Sequence, residues 1–405
     1  MAKGDRYPSE MRSEIDPESG RTVYQLTATR EWNVHPTYHV NGFFDDGRVA
    51  FAAEDGGRTH LYTCDLASGE IRQLIDGKGC SYLLATIAGG RGDGRGTDAF
   101  HMVTGYRSHR VYFVEGAEVR SAHVDTLDEE LLSTISDDWI AGVVELSADE
   151  RTVLVPLLPR ECFNTPDGLA GYLRRADRLN LTSRLLGVRT DGSGAEALWD
   201  DVGRFVGHAM FSPISDRYVL ADRATDPDRR QEPLLWIIDL REQRTWPLDT
   251  RSPKTGHSTW LWDGSGAVTH GVVVDGGPHD GAEYIQLIDF DGASRWIGYH
   301  GPPRYYGHVH VTPDDRVVIT DAIFRPDAIT AVRLPMDGRT EGGYAAETVC
   351  LHRTEGPELG QLCHAHPHVS PDGRWILFGA YRGGACGAGR KDLYAVQCAS
   401  IGAEP

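Results

Sequence analysis

Apolar and polar residues alternate with a period of two along most of the chain, in short runs punctuated by Gly, Asp and Pro. Residues 46–54 (Asp-Gly-Arg-Val-Ala-Phe-Ala-Ala-Glu) lead through a short turn into 59–74, and residues 372–380 lead likewise into 391–397. Each unit reads as strand, Pro-Asp-Gly turn, strand, loop, strand ending in Asp-Leu or similar, Gly turn, strand, which is hairpin chemistry at every corner. Further copies fall at 111–114, at 139–158 with 185–198, at 211–220 with 234–240, and at 260–274 with 284–290. The count is seven units at a spacing of roughly 50 residues, a period that marks propellers and solenoids. The pattern predicts an all-β fold, a seven-bladed β-propeller of four-stranded antiparallel blades, in which the ring protects the sheet edges.

Residues 1–405 are read as one propeller domain. A strand at about 22–26 has no inner partners of its own and is expected to complete the last blade. Residues 159–184 interrupt the third unit, and 168–179 has the apolar spacing of a short amphipathic helix. That insertion is either a rim over the channel mouth or a decoration.

Four histidines occupy one equivalent position in four successive units. His208, His257 and His308 each follow a Gly, and His366 ends His364-Ala-His366; each stands three residues before Phe211, Trp260, Val311 or Val369. In a closed ring these side chains converge at one mouth of the central channel. Converging imidazoles are how a metal site or a general base is built.

Composition narrows the partners more than the fold. The 47 Gly and 21 Pro residues favour many turns and short elements. A formal charge of −18 argues against nucleic acid and anionic membranes as partners, but not against a small anionic ligand in a locally cationic pocket. The first residues have no apolar signal core, and no stretch approaches the run needed to span a bilayer, so a cytoplasmic protein is expected. Seven scattered cysteines without Cys-x-x-Cys spacing fit reduced thiols. Oligomeric state is not legible.

The densest local signal is Gln361-Leu-Cys-His364-Ala-His366-Pro-His368. On a strand His364, His366 and His368 would share one face. Gln361 can turn its amide oxygen inward, and His308 joins from the preceding blade. Three imidazoles and an amide with open positions suit a divalent ion such as Mn2+, with Fe, Ni and Zn as alternatives. Any single Gly-His pair also has a bland reading, an imidazole bonded within its own blade. His310 and His368 are read as supporting or structural rather than as ligands.

These residues resemble the oligogalacturonate lyases, bacterial seven-bladed propellers that cleave short pectin fragments with Mn2+. The resemblance runs over residues 21–396 and is carried by Gly207-His208, Gly256-His257-Ser-Thr-Trp260, Gly307-His308 and Gln361-x-x-His364-x-His366-Pro. It implies His308, Gln361, His364 and His366 as metal ligands, His257 as the base that removes the C5 proton in a β-elimination, and His208 as a cleft residue that binds substrate. One departure stands out. The family keeps a catalytic Arg two residues before a Trp in the fourth blade, and here Trp236 is preceded at that position by Leu234. Arg230 is the expected replacement, with Arg229 and Arg223 as substrate-binding neighbours. Two rival readings are a metal-dependent lyase, isomerase or epimerase for a different uronide, and a non-catalytic propeller that binds glycan or protein. A propeller peptidase is disfavoured by the lack of a Gly-x-Ser-x-Gly elbow.

Overall fold

A computed structural model of the chain describes residues 2–30, 32–55, 58–77, 101–162, 168–224, 234–252, 255–301, 307–321, 323–325, 327–335, 338–352, 365–380, 391–398 and 401. Seven antiparallel sheets succeed one another along the sequence, a seven-bladed propeller. Blade four is the plainest: Phe205–Ser212, Ser215–Ala224, Leu235–Asp239 and Arg244–Pro247 pair in sequence order. Blade five runs from Thr255–Trp260 through Gly266–Val272 and Glu283–Asp289 to Ser294–Tyr299, and adds Glu341–Gly343 as a parallel outer strand. Blade six comprises His308–Val311, Val317–Asp321, Ala328–Arg333 and Ala346–Leu351.

The last blade is closed by the start of the chain. Thr22–Gln25 pairs with Asp392–Gln397, as Val23 with Val396 and Gln25 with Tyr394, and Arg12–Ile15 adds one strand further out. The interrupted third unit carries the expected helix, Gly168–Arg178, between the strands Thr152–Pro159 and Thr182–Arg189.

Turn chemistry explains why the repeat is legible. In blades three, six and seven a Ser or Thr at the end of the inner strand is followed two residues later by Asp. Ser370 Oγ donates to Asp372 Oδ1 at 2.6 Å and accepts from Trp375 N at 2.9 Å, and Gly373 takes the left-handed conformation at φ 70°. Ser147 with Asp149 (2.7 Å) and Thr312 with Asp314 (2.6 Å) repeat the device. Side-chain bonds of this kind fix a hairpin without help from the core.

The core lies between blades rather than within one. Val317 and Ile319 of blade six pack against Val369, Ile376 and Phe378 of blade seven, with Val23 from the closing strand. Each such side chain contributes on the order of 1.5–3 kcal/mol by burial. The packing therefore sets how the inner strands face one another across the channel.

Candidate active site

The Gly-His positions sit where the inner strand of each blade departs from regular pairing. In blade four the register jumps between Gly207 and Met210, with His208 at φ 40°; in blade five it jumps between Thr255 and Ser258, around Gly256 and His257. Bulges of this kind re-aim a side chain. Glycine is required beside each: a Cβ at Gly207 would strike the Phe205 ring, and one at Gly256 would strike the imidazole of His270. At Gly307 a Cβ would run into the carbonyl oxygen of Asp321.

The four repeated histidines do converge. Ring centroids of His257 and His308 stack at 4.1 Å, His308 and His366 meet edge-on at 4.2 Å, and His208 and His257 lie 5.1 Å apart. Tyr38, fully buried, stands in the middle of the arc, with its ring 4.9 Å from His308, 5.0 Å from His257 and 6.0 Å from His208. Its hydroxyl accepts from Ser258 N at 3.4 Å. Sequence reasoning missed Tyr38, which lies in a loop of blade one, outside the repeat.

Each imidazole has a defined orientation. His257 Nδ1 is 2.8 Å from the carbonyl oxygen of Gly307. A carbonyl can only accept, so Nδ1 carries the hydrogen and Nε2 presents a lone pair. His257 is buried, and its pKa is held well below the ordinary imidazole value, by burial first and then by His308, His208 and His270. It is therefore neutral at neutral pH, the form that can accept a proton at Nε2. His208 is about one third exposed on its side chain, with Nδ1 2.9 Å from Asp222 Oδ2.

Asp321 organises the other side, and no sequence signal pointed to it. Its Oδ1 accepts from the backbone N of His308 at 2.7 Å and lies 3.0 Å from His308 Nδ1; its Oδ2 accepts from the backbone N of Ala365 and of His366, both at 3.0 Å. One carboxylate thus sets the tautomer of His308 and locks the segment that delivers His366. A carboxylate behind an imidazole is the usual partner of a metal-binding His, because it turns Nε2 outward and raises its donor strength. His308 and His366 fit a divalent ion on this observation. Gln361 and His364 lie outside the described residues, and among the described residues no three His, Cys, Asp or Glu form a complete metal cluster.

Three expectations need correction or placement. The shared strand face of His366 and His368 is not formed: His366 has φ 51° and precedes the strand His368–Val369. His368 instead turns into the channel wall, with Nδ1 2.8 Å from the Tyr38 carbonyl oxygen and its ring 4.3 Å from His310. Arg223 is not brought to the cleft. Its guanidinium lies over Trp236 at 4.4 Å and bonds Asp201 at 2.5 and 3.2 Å and Thr245 at 3.0 Å, because Arg223 and the cleft-facing Asp222 alternate along one strand. Arg229 and Arg230 lie outside the described residues. Leu234, at the family's Arg position, is buried with Leu158, Leu173 and Ala176, the last two from the insertion helix.

A second layer of titratable groups lies along the channel. His39, Glu145, His310 and His368 line a cavity of about 380 Å3, bounded also by Trp260, Trp262 and Phe211, and none of the four converging histidines reaches it. Burial pushes the Glu145 carboxyl up to about 8, and its Oε2 is 3.4 Å from His39 Nδ1.

With this geometry in hand, comparison with known proteins is informative. No protein-family model matches the chain. An oligogalacturonide lyase of Pectobacterium atrosepticum is 23% identical over 404 residues, covering 93% of this chain and 95% of that protein. Over nearly its whole length the chain is similar to this oligogalacturonide lyase. A solved oligogalacturonate lyase in complex with manganese superposes with a TM-score of 0.76 at 18% identity, covering 98% of both chains. The oligogalacturonate lyase of Vibrio parahaemolyticus gives 0.75 at 16%, again over 98% of both. At these identities the two superpositions establish the propeller fold, while the residue-level reading rests on the geometry above.

Proposed function

We propose that the protein is a Mn2+-dependent lyase that cleaves short oligogalacturonates by β-elimination. The observation that carries this reading is the orientation of His257: a buried, neutral imidazole with its Nδ1 hydrogen tied to Gly307 and stacked on His308, the residue best prepared to hold the ion. Removing the C5 proton of a uronate requires a neutral base beside a group that neutralises the adjacent carboxylate.

His308 and His366, with Gln361 and His364, would hold the ion; when bound, it supplies charge neutralisation of the uronate carboxylate and so acidifies C5. His257 Nε2 takes the C5 proton. The C5–H electron pair becomes the C4–C5 double bond, and the C4–O pair leaves with the glycosidic oxygen. His208, tied to Asp222 and partly exposed, faces the substrate. Arg230, assisted by Arg229, is proposed as the guanidinium that clamps a second carboxylate. The reaction is assigned to a reducing compartment, the cytoplasm, in keeping with free thiols at Cys64, Cys162, Cys350 and Cys398.

A panel of uronides tests the assignment. Loss of oligogalacturonate with appearance of a 4,5-unsaturated product supports it. Conversion of another uronide without an unsaturated product would replace it with an isomerase or epimerase built on the same proton abstraction.

A further inference from the structure

The base has neighbours that the reaction as described does not use. His270, on the second strand of blade five, and Glu283, at the start of the third, are both buried at 2% exposure. His270 Nδ1 is 2.9 Å from Glu283 Oε1, and among the described residues the ion-pair partner of Glu283 is His270. The other ring nitrogen, Nε2, addresses two atoms at once: the carbonyl oxygen of Gly307 at 2.9 Å and the backbone N of His257 at 3.2 Å. Gly307 O is the same atom that receives the Nδ1 hydrogen of His257 at 2.8 Å.

We infer that His270 and Glu283 are positioning residues for His257, an inference that rests on reading His257 as the base. The argument is one of constraint. The imidazole of His257 keeps a lone pair on Nε2 only while Gly307 O stays in place to accept from Nδ1. Gly307 precedes the inner strand of the next blade, and as a glycine it restrains its own peptide weakly. His270 reaches across from blade five and fixes that carbonyl when a protonated Nε2 donates to Gly307 O, or the peptide of His257 when a bare Nε2 accepts from His257 N. Glu283 fixes the plane of His270, since a buried carboxylate is strongly held to its one hydrogen-bonding imidazole. Gly256 completes the arrangement, because a side chain there would occupy the space of the His270 ring. The architecture parallels the acid that holds a catalytic His in one tautomer in hydrolase triads, with a second imidazole and a peptide carbonyl interposed.

The test uses the full-length, Mn2+-loaded protein carrying Glu283→Gln, His270→Ala or His270→Gln, with trigalacturonate as substrate. A misaligned base slows the chemical step without changing substrate contacts. Glu283→Gln and His270→Ala are expected to lower kcat by roughly 10–100-fold, with KM and Mn2+ affinity within about twofold of the parent. His270→Gln restores much of the loss, because its amide can reach the same two atoms. Unchanged kcat in variants that merely unfold at lower temperature overturns the inference and leaves the pair a structural element. Parallel loss of Mn2+ affinity overturns it too, by showing that the pair acts on the ion. A His257→Ala control that keeps parental kcat sinks the base assignment instead, so the two failures are told apart.

Discussion

At the scale of single residues, the site depends on imidazoles oriented by the groups behind them. His257 is the sharpest case. In the proposed reaction its neutral form is the active one, and its pKa is depressed by burial and by three neighbouring imidazoles. Activity should therefore stay level as pH falls through the ordinary imidazole value near 6.5 and decline only well below it. A pH profile of kcat that already falls between pH 8 and 7 would contradict a depressed base. Arg223 makes the opposite point. It is a charged residue beside a cleft-facing Asp, yet its guanidinium is spent on Asp201. Replacing Arg223 by Met should leave KM for oligogalacturonate unchanged while destabilising the fold by about 1–3 kcal/mol, the loss of charge-assisted bonds to a buried carboxylate that keeps Trp199 and Arg204 beside it. Denaturant unfolding and steady-state kinetics on the same preparation decide it.

At the scale of elements, the working parts are joints between blades. Asp321 ends the second strand of blade six and binds both the first residue of its own inner strand and the segment that opens blade seven. Asp321→Asn should weaken Mn2+ binding by about 10–100-fold, read by metal titration of the stripped protein, with a smaller effect on unfolding temperature. Equal affinity in the variant would remove Asp321 from the metal centre. The sequence made one side of each joint visible. His208, His257, His308 and His366 share a repeat position, and the Ser-x-Asp and Pro-Asp-Gly turns mark the blades, because both obey a local period. Asp321, Tyr38, Asp222, His270 and Glu283 were invisible for a physical reason: they sit on second and third strands or on the first blade, and reach the cleft only once the ring has closed. The alternation expected across His364, His366 and His368 failed at His366, whose positive φ breaks the strand face.

For the molecule as a whole, seven blades arranged around one channel bury an unusual set of ionisable groups. Burial lowers the pKa of His35 to about 3 and that of His352 to about 4, and desolvation of the half-buried His101 lowers it to about 4 as well. The unfolded chain takes up protons at these sites below the ordinary value while the folded chain does not. The stability they allow is thus complete above pH 6.5 and is lost as pH falls toward 4. Glu145, raised to about 8, works the other way, its cost growing above the ordinary Glu value and relieved by acid, but it is one group against these three and the likewise lowered His39, His257, His310 and His368. Unfolding temperature should drop by roughly 5 °C between pH 7 and pH 5; a flat or rising trend would contradict the neutral burial of these imidazoles.

The central claim concerns the reaction, and near-ultraviolet absorbance tests it directly. Metal-stripped protein is mixed with digalacturonate and trigalacturonate, with and without added Mn2+. The account predicts a rise from the conjugated unsaturated uronate that requires Mn2+ and disappears in His257→Ala. No rise in Mn2+-loaded protein, or a rise that survives the loss of His257, would contradict it.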